Sequence, residues 1–501
     1  MSFLGPVAQI SERQLAAGKR SLVLDSAFAS LTGSFHGGVV LVAFALALGA
    51  GPMAIGILAA IPLVAQAAQL PAIALVERVR QRRRIGVLAV TAARVLILLL
   101  AVLPFLPAAP SVQLQLLIVA QALISGLGSF ASCAINSWLH QLIARDDLGR
   151  FFARRLFWGT TLACAGTLLA GQLIDHSGFA NRLHAFSIAF FAAGLAGFAS
   201  AHFLARAPEP VMTPASPKVS VLARLRTPFH DPDFRRVLVF LGAWTVASNV
   251  AAPFLTVYLL RQLGYPLGTV TSLWVTSQVA NALALYLWGR LSDRFSNKAI
   301  LAVALPVYFA CTLGLVFADM RDHAELRLML LFGFHAVMGA ASGGIGLATG
   351  NLGLKLAPQG EGTPYLAAIG LVSALAGGLA PIAAGSLAQW FEARELSMVL
   401  RWISPARAAE LAVFHFAHWE FLFAISAALG LYVMHALSRV REGDEISERL
   451  VIQELGLEAL RAVNHLSSIG GLLGMLFPFG RLSERRRPWR MRPSSRERRS
   501  G

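Results

Sequence analysis

The chain has 501 residues, of which 56% are hydrophobic and only 14% charged, and its mean hydropathy is +0.63. Soluble domains carry roughly 25% charged residues, so the composition excludes an ordinary soluble protein and implies a polytopic membrane protein. The formal net charge of +17 has to sit in the little polar sequence available, which points to anionic lipid as its partner and not to nucleic acid.

In chain order, residues 1–21 lack the charged, apolar and small-residue pattern of a signal peptide and are expected to remain as a cytoplasmic N-terminus. A spanning helix needs about 20 mostly apolar residues. That criterion predicts twelve helices, at 22–49, 53–75, 85–107, 112–139, 156–174, 184–204, 237–261, 267–289, 299–318, 328–351, 365–390 and 412–437. Internal prolines such as Pro62, Pro253 and Pro381 are compatible with this, because neighbouring membrane helices re-satisfy the freed backbone groups. Segment 205–236 holds six prolines and no apolar run long enough to cross, so it reads as a cytoplasmic linker. It separates a six-helix unit at 22–204 from a second at 237–437. From 438 to 501 the character changes. Leucines and valines at near-helical spacing over 446–476 precede nine arginines between Arg481 and Arg499. The pattern predicts an interfacial helix and a polybasic tail on anionic lipid.

The loops carry an orientation signal. The N-terminus and the even-numbered connections hold 22 Lys and Arg against 7 in the odd-numbered ones, so both termini are expected in the cytoplasm. Cys133, Cys164 and Cys311 each fall within an apolar run and have neither disulfide nor metal-ligand spacing. No metal and no cofactor is expected. There is no Gly-Lys-Ser/Thr nucleotide loop, no His-Glu-x-x-His and no Gly-x-Ser-x-Gly, so no enzyme chemistry is predicted.

The two halves read as a diverged repeat. The first four helices of each begin 214 to 216 residues apart, Asn136 and Asn351 differ by 215, and Glu77 and Asp293 by 216. This spacing predicts two halves of the same topology about an axis along the membrane normal. The turn after the eighth helix carries Gly289, Asp293, Arg294 and Lys298. It resembles the loop signature of the major facilitator superfamily, G-x-x-x-D-R/K-x-G-x-R/K-R/K, with Ser296 where the family prefers Gly. The first-half copy keeps Glu77, Arg78, Arg82 and Arg83 but has Ile73 and Arg80 in place of the glycines.

The resemblance implies an all-α membrane fold of about twelve helices in two pseudo-symmetric six-helix bundles. It also implies alternating access, with Gly289, Asp293, Arg294, Lys298, Glu77 and Arg78 as latch residues, and a cavity lined by the first, fourth, seventh and tenth helices. Polar groups inside hydrocarbon are costly unless used, although a lone His or Asn is often only an interhelical hydrogen-bond partner. The cavity candidates are Asp25 and His36 on the first helix, Asn136 on the fourth, Asn249 on the seventh, Gln278 on the eighth and His335 on the tenth. Arg94, in the middle of the third helix, cannot shed its charge. A structural pair is its expected role, with Asp25 the nearest acid by depth.

The expected function is secondary transport of a small polar or amphipathic solute across the inner membrane by a monomer. Export is favoured, with a proton or solute gradient as the driving force. The alternative is a receptor or scaffold on the same fold, its basic tail recruiting a partner. Truncation after residue 440 separates the two, because a transporter core would keep its function.

Overall fold

The computed structural model describes residues 5–212, 226–292, 295–317, 323–357, 362–403 and 408–442. The predicted interfacial helix over 446–476 and the arginine tail lie outside the described residues, as do Asp293 and Arg294. Twelve long helices follow one another: α1 Glu12–Ala47, α2 Pro52–Val79, α3 Arg82–Phe105, α4 Pro110–Leu142, α5 Asp147–Asp175, α6 Leu183–Arg206, α7 Pro232–Gln262, α8 Leu267–Ser292, α9 Asn297–Phe317, α10 Ala324–Leu356, α11 Pro364–Phe391 and α12 Glu420–Ser438. Eleven are long and apolar enough to cross a membrane. The exception, α8, has the length at 26 residues but is diluted by Thr269, Thr271, Ser272, Thr276, Ser277, Gln278 and Asn281.

Local chemistry sets the helix ends. α1 starts ten residues before its predicted position because Ser11 and Gln14 form a reciprocal capping box, which satisfies two orphan amides at the helix start. Asp231 caps α7 through the amides of Asp233 and Phe234, and Ser296 caps α9 through Ala299. α1 breaks at Gly37–Gly38, where Gly38 has φ +51°. That left-handed conformation costs glycine little and other residues more. The helix therefore changes direction immediately after His36.

The twelfth helix departs from its predicted start. Residues from 412 belong to an antiparallel hairpin, β1 (Glu395–Ile403) and β2 (Ala408–Ala417), with a bulge at Met398/Val399. The apolar run of β2 continues the pattern of α12 in sequence, but His418 at φ +49° breaks the chain between them. Burial lowers the His418 imidazole pKa; Glu392 opposes the shift and Arg261 adds to it.

Packing repeats from half to half. In the first, α1 packs on α5 and α6, α3 on α4 and α6, and α2 on α4; in the second, α7 packs on α11 and α12, α9 on α10 and α12, and α8 on α10. Between halves the large contacts are α2 with α11 and α5 with α8. The cores divide unequally. At the face opposite the termini, one cluster joins residues of both halves, among them Phe44, Phe190, Phe254, Tyr258 and Phe423. At the face bearing the termini the clusters are separate: Leu22, Trp138 and Leu204 in the first half, and Val237, Leu301 and Leu437 in the second.

Candidate functional site

The shared core closes the molecule at the face opposite the termini. On one seam, a methyl group added to Gly56 would strike the carbonyl of Pro381, and one on Gly385 would come within 2.7 Å of the carbonyl oxygen of Pro52. Small residues permit such backbone approach, the usual basis of tight helix packing in lipid. On the other seam, Asp175 at the end of α5 accepts from the amides of Leu267 (3.2 Å) and Gly268 (2.5 Å) at the start of α8. A carboxylate at a helix N-terminus meets both unpaired donors and the positive end of the helix dipole. Arg261 also reaches the carbonyl of Leu46 at 3.4 Å across the halves.

Inside this closure lies a central cavity of about 710 Å³, walled by α1, α2, α4, α5, α7 and α8. Most of its surface is apolar, with polar points that include His36, Gln121, Ser125, Thr256 and Gln278, and among the described residues no Asp or Glu contributes to the wall. His36 sits at the break in α1, its Nδ1 2.8 Å from the carbonyl of Thr32. Because a carbonyl only accepts, Nδ1 carries the proton, and in the neutral ring Nε2 is left as an acceptor. Gln121 is buried and its Oε1 has no partner among the described residues. Trp274 separates this cavity from a side pocket of about 140 Å³ that holds His335 with Tyr308, Thr312 and Ser342. His335 is 2% exposed, its Nδ1 is 2.8 Å from the carbonyl of Leu331, and its Nε2 has no partner among the described residues.

The structure thus brings His36 and Gln278 to one wall and places His335 one indole away. Asp25, Asn136 and Asn249 lie outside the cavity wall. Asn249 donates to the carbonyl of Thr245 and Asn136 to Ser132 Oγ, each one turn back on its own helix. Asp25 is buried within the first half, where it accepts from Ser200 Oγ at 2.8 Å and faces Arg155 Nη2 at 3.5 Å. Arg94 is within electrostatic reach of that carboxylate, its stem packed on Gly197 and its Nε without a partner among the described residues. The expected acid is therefore nearby, but its direct cationic partner is Arg155.

Of the latch residues, Asp293 and Arg294 are outside the described residues. Glu77 and Arg78 are exposed at the end of α2 and Gly289 lies in the last turn of α8. Lys298 joins a different arrangement. Glu442, following α12, accepts from the amides of Asn297 (3.1 Å) and Lys298 (2.6 Å) and from Lys355 Nζ (3.2 Å). In the first half Glu209, following α6, does the same for α3. It accepts from the amides of Arg82 (2.7 Å) and Arg83 (3.1 Å) and pairs with Arg82 Nε at 3.2 Å. In each half, then, a carboxylate after the last helix caps the third. Sequence reasoning missed both. Their one visible signal was the acid directly after each helix end, in Pro208-Glu209-Pro210 and Arg441-Glu442.

Two repeated six-helix units enclosing a cavity that is shut at one face define a two-bundle polytopic membrane fold. The sequence matches the profile of the Major Facilitator Superfamily over residues 25–381, and the chain belongs to that family. Similar solved structures include a mutant of the nucleoside transporter NupG (TM-score 0.63, 13% identity, 84% of this chain and 99% of that one). The D-xylose-proton symporter gives 0.60, 16%, 87% and 98%. A bacterial homologue of the iron transporter ferroportin, in its inward-facing state, gives 0.59, 14%, 86% and 99%. At these identities the likeness concerns the fold. No curated protein matches the sequence.

Proposed function

We propose that the protein is a secondary active transporter that moves a small polar or amphipathic solute across the inner membrane by alternating access. Both termini face the cytoplasm in this reading, so the cavity is closed to the outside. The observation that carries it is the central cavity itself, about 710 Å³ between two repeated bundles and closed at one end by the Gly56–Pro381 and Asp175–Gly268 seams. Its wall favours an amphipathic solute: an extended apolar surface with a few hydrogen-bonding points and no carboxylate. His36 on the wall and His335 behind Trp274 are the titratable groups that would link transport to protons. Export remains our preferred direction.

Proteoliposome flux of candidate amphipathic solutes, with and without an imposed pH gradient, tests the reading. Uptake or efflux that saturates and falls on His36→Gln or Gln278→Ala supports it; absence of flux for every solute class sinks it. The scaffold alternative is tested by truncation, but the cut belongs beyond Glu442, because removing that residue leaves the Asn297 and Lys298 amides of α9 without their acceptor. A core ending just after Glu442 should transport.

A further inference from the structure

We propose that the seam between α1 and α5, at the face bearing the termini, is a binding site for one anionic phospholipid. A groove of about 720 Å³ runs along this seam. Its mouth carries Lys19, Arg20, Arg150 and Arg154 against one acid among the described residues, Asp147. Asp147 is already engaged, at 2.8 Å from Lys19 Nζ and 4.0 Å from Arg150 Nη1. Arg20 and Arg154 are exposed and make no hydrogen bond or ion pair among the described residues. Deeper in, the walls are Leu24, Phe28, Trp158 and Leu162, of which Leu24 and Trp158 stay 42% and 43% exposed.

Helix geometry puts this groove on the outer side of the bundle. On α5, Trp158 and Leu162 form one i,i+4 stripe, while Ala163 and Thr167, which line the central cavity, form another turned by about 100°. The groove is therefore separate from the cavity and opens toward hydrocarbon. Its length suits a lipid: Ala16 to Phe28 on α1 covers roughly 18 Å at 1.5 Å per residue, against about 15 Å for half of a bilayer core. The cations stand at the interfacial end and the aromatic walls at the acyl end, so the charge order matches a phosphate headgroup with its chain.

The second half supplies an internal control. The offset of 214 that relates Phe151 to Tyr365 puts Pro364 and Ala368 in place of Arg150 and Arg154. There the seam of α7 and α11 is filled: Phe234 and Tyr365 meet edge to face at 4.6 Å, and both are buried with Leu238 and Ala368. Arg235 and Arg236 remain on the α7 side, the latter paired with Asp233 at 2.8 Å. A basic, open groove is thus a property of the first half and not of the fold.

Trp158 is a built-in reporter. The full chain would be reconstituted in zwitterionic vesicles containing brominated phosphatidylglycerol, and separately in vesicles where the zwitterionic lipid carries the bromine. The Trp158 signal is the difference from Trp158→Phe. We expect preferential quenching by the anionic lipid, falling by roughly fivefold in relative binding constant for each cation removed in R20Q and R154Q. R439Q, on the same face but outside the groove, should leave the preference intact. If the double variant does not assemble, Arg154→Ala, which installs the second-half residue, gives the single-step loss. Equal quenching by both lipids, or a preference unchanged in R154A, overturns the site. Loss of the preference to inorganic phosphate at constant ionic strength would also overturn it, by assigning the cations to a soluble anion.

Discussion

Asp175 holds the closed face by the simplest means available, a carboxylate against the first two amides of a helix from the other half. It is only partly buried, so the interaction sits below the full value of a buried charged hydrogen bond, about 1.5–3 kcal/mol, and near the upper range for a helix terminus, up to about 2 kcal/mol. A value of about 1–2 kcal/mol follows. Since about 1.4 kcal/mol is a factor of ten, Asp175→Ala should raise the population open at that face by roughly 5- to 30-fold. Asp175→Asn keeps one acceptor and should give about half that free energy, roughly 2- to 5-fold. Cys164 on the cavity wall reads this directly. With Cys133 and Cys311 replaced by Ser, a membrane-impermeant maleimide applied to the face opposite the termini labels Cys164 only when that face opens. Labelling rates should rank Ala above Asn above wild type. Equal rates in all three, with normal expression, refute the reasoning.

Other consequences are measurable on the same protein. Glu209→Ala removes the carboxylate paired with Arg82, which is 2% exposed, and loss of a buried charge partner costs about 3–5 kcal/mol; Glu442→Ala frees the Asn297 and Lys298 amides of α9, where Ser296 still caps Ala299, beside the half-exposed Lys355, and should cost about 1–2 kcal/mol. Thermal unfolding in detergent should therefore rank wild type, Glu442→Ala, Glu209→Ala, and the reverse order for the two variants would count against the burial argument. Gly385→Ala forces apart the α2–α11 seam at a cost of about 1–3 kcal/mol; accelerated labelling of Cys164 from the closed face is expected, and an unaltered rate would show that the seam yields. For His418 the sign follows from its lowered pKa. The unfolded imidazole takes a proton near pH 6.5 while the folded one resists, so the contribution present above about 6.5 is lost as pH falls through the folded value. Amide protection in β1 and β2, with exchange corrected for its intrinsic slowing at lower pH, should fall as pH drops below about 6.5, and persistence of that fall in His418→Gln would assign it elsewhere.

The helices and their repeat were readable because hydrocarbon imposes a long, one-dimensional signal: some twenty apolar residues per crossing, and an offset near 215 between halves. Which side of a helix a residue occupies was not readable. His36 and Gln278 face the cavity whereas Asn136 and Asn249 bond to their own helices, and in a segment apolar all round no periodicity separates the two. The 395–417 hairpin was lost for a related reason, since the apolar residues of β2 run straight toward α12. The caps escaped because Glu209 and Arg82 lie 127 residues apart. Helix-end acids suggested a role for Asp293, which lies outside the described residues, and for Glu77, which is exposed; the two acids found capping the third and ninth helices, Glu209 and Glu442, follow the sixth and twelfth.

Those caps also order the making of the protein. All the groups around Glu209, from Arg82 through Gln141 to the carbonyls of Pro210 and Val211, have been synthesised once 211 residues of the chain exist. The first bundle can then tie its last helix to its third while the second bundle is still unmade, as expected for units that fold in order of synthesis. The second bundle waits for Glu442, so the Asn297 and Lys298 amides at the start of α9 go without that carboxylate until synthesis has run 145 residues beyond Asn297.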